Sequence, residues 1–142
     1  MNSRSFIPAL IALFYLTVVA AAHADTSLEI AMKQMSSAYK ELSFDLQQPH
    51  EANKGDYLVL AGTLKTEAQT SRGLIPKKAA TLPADQQGAM VKAYQKSMDD
   101  LIRWIDSLTQ DIQNGQWDDA RKVMGAIKQQ MIYGHKDFRT KD

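Results

Sequence analysis

Apolar side chains recur three or four positions apart in four stretches of the chain, which is the period of an amphipathic helix rather than of a strand. The predicted helices run from near Ser27 to just before Pro49, from about Glu51 to Ser71, from about Ala84 to Asn114, and from Trp117 to Arg139. Short connections between them predict an all-α fold, an antiparallel up-down-up-down four-helix bundle. Because bundles serve many functions, the fold class alone does not indicate what the protein does.

Capping and helix-breaking residues set the predicted ends of the helices. Thr26 and Glu29 have the spacing of a capping box, so the first helix is expected to start near Ser27. Residues 73–83 (GLIPKKAATLP) contain two prolines, and we predict an irregular loop there with Lys77 and Lys78 in solvent.

The segment before the first helix has the composition of an export signal. Arg4 supplies a short positive region, residues 6–22 are almost continuously apolar, and residues 22–24 (AHA) form a small-residue cleavage site. We therefore predict that residues 1–24 are a cleaved signal peptide and that residues 25–142 form one domain. An uncleaved membrane anchor is the alternative, since the apolar run is near the lower length limit for a spanning helix.

Cysteine content and charge narrow the candidate chemistry. The chain has no cysteine, which excludes disulfides, thiolate metal ligands, cysteine nucleophiles and covalent haem attachment of the c type. Without Arg4, 16 basic and 16 acidic side chains remain, a balance that gives no support to nucleic-acid binding. The sequence shows no nucleophile–base pair, carboxylate dyad or phosphate loop, so we do not expect an enzyme. Once the signal is removed, we expect a monomer that does not insert stably into a membrane.

Two side chains from the outer helices are candidates for metal ligands. In an up-down-up-down bundle the first and fourth helices are antiparallel neighbours, which brings Met32 and His135 to the same end. A thioether and an imidazole suit the two axial positions of a haem iron, and His135 shares an inward stripe with Met131 and Phe138. The residues expected to pack against the ring are Met35, Tyr39, Tyr94 and Met98. The alternative is that both side chains merely pack, since a helical methionine usually fills core space and a lone histidine is more often an interior or edge residue.

Two motifs frame the predicted domain. Residues 28–32 read LExxM. Residues 115–139 are predicted to form a hairpin turn and a helix, and they end in H-x-x-F-R. These segments, together with the third helix back to about Val91, resemble the soluble cytochrome b562 family. Members of that family are periplasmic four-helix bundles that hold one haem b without covalent bonds.

The resemblance implies a site and a function. Met32 and His135 would be the axial ligands of one non-covalent haem b per chain, in a periplasmic protein that transfers single electrons to and from unidentified partner proteins. Arg139, one turn beyond the histidine, could approach a haem propionate, with simple surface solvation as the alternative. A thioether ligand would raise the reduction potential relative to a more basic ligand.

The chain departs from the family near this site. Gly134 stands where the family usually has tyrosine, Met131 replaces an arginine, and Tyr94 and Met98 replace phenylalanines that pack on the haem. The alternative function is a haem-free exported four-helix bundle that acts as a structural or binding module. An absorption spectrum recorded after the addition of haemin separates the two hypotheses.

Overall fold

The computed structural model describes the backbone of residues 9–140 and the surroundings of the side chains of residues 27–140. Its elements are α1 (Ala9–Asp45), a short 3-10 helix (Glu51–Asn53), α2 (Lys54–Arg72), α3 (Lys77–Ala80), α4 (Ala84–Gln113) and α5 (Trp117–Phe138). No strand occurs between residues 9 and 140. The four long helices form the bundle, which confirms the predicted fold class. Among the described residues, no helix is both long enough and apolar enough to cross a membrane.

The first helix starts earlier than the sequence pattern predicts. A start near Ser27 is wrong, because α1 continues back to Ala9. From Ala9 to the residue before Pro49 the sequence contains neither glycine nor proline, so no residue type in this stretch breaks the backbone hydrogen bonding. Residues 1–8 of the predicted signal segment lie outside the described residues, and so do the side chains of the rest of it.

The predicted loop between the second and third long helices contains the short helix α3. Proline fixes φ near the value that a helix start requires, and Pro76 stands directly before α3 with a φ of −67°. Pro76 and Ala79 are buried, so α3 packs against the bundle. Lys78 is half-buried and its Nζ donates to the backbone oxygen of Asp137 at 2.6 Å, which corrects its predicted place in solvent. Lys77 is exposed, as predicted.

The core lies between the inward stripes of the four long helices. The α4 stripe is the most regular, and its members are at most 5% exposed: Tyr94, Met98, Leu101, Ile105, Leu108 and Ile112. Gly115 closes the turn into α5 with a φ of 68°, a value that favours glycine.

Hydrogen bonds join the outer helices α1 and α5 at the end of the bundle near the α4–α5 turn. Arg121 donates to the backbone oxygen of Leu46 at 3.0 Å, and the Tyr39 hydroxyl donates to that of Met124 at 3.2 Å. Toward the opposite end, the facing sides of α1 and α5 line a pocket. The fold therefore places a cleft between the two helices that carry the predicted ligands.

Candidate functional site

The pocket has a volume of about 600 Å³ and lies at the end of the bundle where α5 terminates. Its walls come from α1, α4 and α5, and Pro76 and Lys77 close one side. Pockets for small molecules and cofactors have volumes of roughly 300–1,000 Å³. The cleft therefore has the size of a cofactor site.

Both predicted ligands line this pocket. Met32 comes from α1, is half-buried and packs against the core, whereas His135 comes from the last turn of α5 and is exposed. His135 thus shares one side of α5 with Met131 and Phe138, since all three line the pocket, but it is exposed where the other two pack against the core. The physical reason is that α5 ends beside the pocket, so its last turn borders open space at this position. The imidazole is accessible to a ligand in the pocket.

Three of the four predicted ring-packing residues line the pocket with the ligands. Met35, Tyr94 and Met98 are 1%, 2% and 5% exposed, so they form a tightly packed apolar wall. Tyr39 is not among the lining residues. It lies two helical turns beyond Met32, where its hydroxyl bonds to α5, so its predicted contact with a ring is not supported.

Tyr94 ties the pocket wall to two other helices. Its hydroxyl donates to the backbone oxygen of Ser71 at 2.7 Å, and its ring meets that of Phe138 edge-on with centroids 5.3 Å apart. Burial raises the pKa of the Tyr94 hydroxyl well above its usual value, so the group remains a neutral donor at physiological pH. A phenylalanine here would pack equally well but could not donate to the Ser71 carbonyl, which would keep only its backbone partner, the N–H of Leu74 at 3.0 Å.

Substitution of Tyr94 by phenylalanine is therefore expected to destabilise the protein by about 1 kcal/mol, because the buried hydrogen bond between the hydroxyl and the Ser71 carbonyl is lost. Urea denaturation followed by circular dichroism measures the change. Tyr133→Phe is the matched control, since Tyr133 is 57% exposed and should show no loss. Equal effects of the two substitutions would contradict the role of the Tyr94 hydroxyl.

The pocket also contains polar residues that the sequence pattern did not single out. Gln130 on α5 donates to the hydroxyl and backbone oxygens of Ser97 on α4, at 2.9 and 3.1 Å, and so fixes two walls relative to each other. Lys33 and Lys77 line the pocket together with the predicted Arg139. Helical periodicity could not reveal Lys77, because the sequence placed it in a loop.

Gly134 lies on the pocket wall next to His135, within a helix. A Cβ atom built at this position meets nothing within 4 Å, so alanine fits without strain. We expect Gly134→Ala to stabilise the protein by about 0.5–1 kcal/mol, since glycine is the more flexible residue in the unfolded chain. Thermal unfolding tests this, and Gly115→Ala should lower stability instead because its φ of 68° strains an alanine. Melting temperatures that shift in the same direction in both variants would contradict the backbone conformations given to the two glycines.

Residues 27–139 match the sequence profile of the cytochrome b562 family. This segment contains α2, α3, α4 and α5 and the part of α1 that packs in the bundle. The chain belongs to the cytochrome b562 family. Proteins of this family bind haem and act as electron carriers. No individual curated protein and no solved structure matches the chain.

The residues of the pocket fit the group that the cytochrome b562 family binds. Met32 and His135 offer a thioether and an imidazole from facing helices, which are donors that haem iron accepts. The same pocket is lined by Met35, Tyr94 and Met98, whose apolar and polarisable surfaces suit a flat ring. The volume of the pocket, its two donor atoms and its apolar wall thus all fit a haem.

Proposed function

We propose that the protein is a periplasmic electron carrier that binds one non-covalent haem b per chain, with Met32 and His135 as its axial ligands. The observation that carries this proposal is that Met32 and His135, which are far apart in sequence, line the same pocket from facing helices. Family membership supports haem as the ligand, and the absence of cysteine excludes covalent attachment of the c type.

When bound, the haem supplies a reversible one-electron couple. Met32 would hold the sixth position with a weakly donating sulfur, which favours the reduced state and raises the potential. His135 would provide the more strongly donating ligand, an imidazole nitrogen. The buried residues Met35, Tyr94 and Met98 would exclude water from the ring face and lower the local dielectric.

With Met32 and His135 both bound to the iron, no coordination position would remain open for oxygen or peroxide. We therefore propose outer-sphere electron exchange with partner proteins as the activity of the molecule. The balanced charge of the proposed mature chain gives no support to nucleic-acid binding, and we propose that the protein acts as a monomer.

A spectroscopic experiment tests the ligands. The exported protein is combined with haemin, and its oxidised and reduced absorption spectra are recorded for the wild type, Met32→Ala and Met35→Leu. The wild type and Met35→Leu should give sharp low-spin bands, whereas Met32→Ala should retain haem in a high-spin state because the sulfur ligand is lost. A high-spin wild type would contradict Met32 as a ligand. Absence of haem uptake would support the haem-free binding module instead.

Export is a separate part of the proposal. Residues 1–24 have signal-peptide composition, and the family match begins at residue 27, just after the predicted cleavage site. Expression of the full chain in a Gram-negative bacterium should yield a periplasmic protein whose N-terminal residue is Asp25. Recovery of a protein that begins at Met1 in the membrane fraction would support the uncleaved anchor.

A further inference from the structure

The short helix α3 brings a lysine to the pocket. Lys77 is the first residue of α3 and lines the pocket, although it is distant in sequence from both predicted ligands. The neighbouring Pro76 and Ala79 are buried, and Lys78 donates to the backbone oxygen of Asp137 near the end of α5. These contacts fix α3 against α5, so Lys77 is held at the pocket and not on a free loop.

The charged residues of the pocket are predominantly cationic. Lys33, Lys77 and Arg139 line it, whereas Glu29 is the one acidic residue among its lining. In the described part of the chain none of these three cations forms an ion pair. Basic residues elsewhere commonly do, as Lys65 does with Asp106 at 2.7 Å. An excess of unpaired positive charge beside an apolar cleft is suited to a ligand that is flat, apolar and anionic at its edge.

Two of these cations lie near the end of α5: Arg139, which follows its last residue, and Lys77 on α3. Lys78 holds α3 at Asp137, and Arg139 follows Asp137 by two residues, so Lys77 and Arg139 both line the pocket next to the contact between α3 and α5. Lys33 belongs to α1, on a different wall. Haem b and its metal-free parent porphyrin carry both propionates on one edge of the ring, which requires cations along one margin.

We infer that Lys77 and Arg139 bind the two carboxylates of a porphyrin edge, and that α3 is the element that makes the pocket selective for a dicarboxylate porphyrin. This inference rests on the proposed function, because it assumes that the pocket holds a porphyrin. It adds a source of selectivity that is independent of iron. Axial ligands recognise the metal, whereas Lys77 and Arg139 recognise the edge.

Metal-free protoporphyrin IX and its dimethyl ester test the inference without any contribution from axial ligation. Fluorescence titration of the exported protein at low salt should show the free acid bound about ten-fold more tightly than the ester, since two exposed ion pairs are lost, each worth up to about five-fold. Lys77→Gln should weaken binding of the free acid about three-fold and leave the ester unchanged. High salt should reduce the preference of the wild type, because it screens exposed charges.

Matched variants separate recognition from folding and from general charge. Lys128→Gln removes the same charge from an exposed site on α5 outside the pocket and should change neither affinity. Lys78→Met keeps Lys77 but removes the bond to Asp137, and should weaken binding of the acid alone. The inference is overturned if the ester binds as tightly as the acid, or if Lys77→Gln weakens both ligands equally or behaves like Lys128→Gln.

The outcomes also distinguish this inference from the proposed function. A high-spin iron complex together with a clear preference for the free acid would remove the axial assignment and leave the edge assignment intact. A low-spin iron complex with no preference for the acid would do the reverse. Failure of both porphyrins and of haemin to bind would overturn both.

Discussion

Replacement of His135 by alanine should weaken haemin binding by at least about 100-fold. Changes to residues that merely support a metal ligand already cost about 10–100-fold in affinity, so removal of a ligand should cost no less. His135 is exposed, so its loss should leave the fold intact and act on the ligand alone. Titration with haemin measures the change. Where the affinity is too high for direct titration, competition with a second haem-binding protein measures it.

Two controls separate ligation from charge and packing. His50 lies in the α1–α2 connection and is exposed, so His50→Ala should bind haemin like the wild type. Imidazole added to the His135→Ala variant should restore a low-spin spectrum, because the pocket is open to small molecules beside this position. Unchanged haemin affinity in His135→Ala would show that another residue is the ligand.

Replacement of Ile105 by alanine should destabilise the protein by about 3 kcal/mol, within the range for large-to-small changes at fully buried positions. Ile105 is 0% exposed at the centre of the α4 stripe and does not line the pocket. Urea denaturation of the haem-free protein measures the loss directly.

Ile102 provides a matched comparison on the same helix. It is only half-buried against the core, so Ile102→Ala should cost about 1 kcal/mol, because less of its surface leaves water on folding. Haem should raise the stability of both variants by the same amount, since neither residue lines the pocket. A similar loss of stability in both variants would contradict the location of the core.

Local sequence pattern was sufficient for most of the bundle. The predicted limits of the last three long helices agree with α2, α4 and α5 to within three residues, because apolar stripes, prolines and Gly115 act over a few positions. The convergence of Met32 and His135 on one end followed from helix order and antiparallel packing, and the pocket bears it out.

The errors arose where contacts between distant segments decide the result. The place of α3 depends on the Lys78–Asp137 hydrogen bond and on buried Ala79, which no local pattern contains. Tyr39 has the correct helical phase for the core, yet its height along α1 directs its hydroxyl to Met124. His135 follows the stripe of its helix, but a stripe cannot show where the neighbouring helices stop covering it.

Nuclear magnetic resonance of the reduced haem complex, with labelled methionine methyl groups, tests the ligation by Met32 most directly. When the sulfur of a methionine binds the iron, its methyl group lies over the ring, so the methyl resonance is displaced far upfield by the ring current. Ligation by Met32 predicts one such signal in the wild type, its loss in Met32→Leu and its retention in Met35→Leu. A spectrum without a displaced methyl signal, or one in which the signal survives in Met32→Leu, would contradict it.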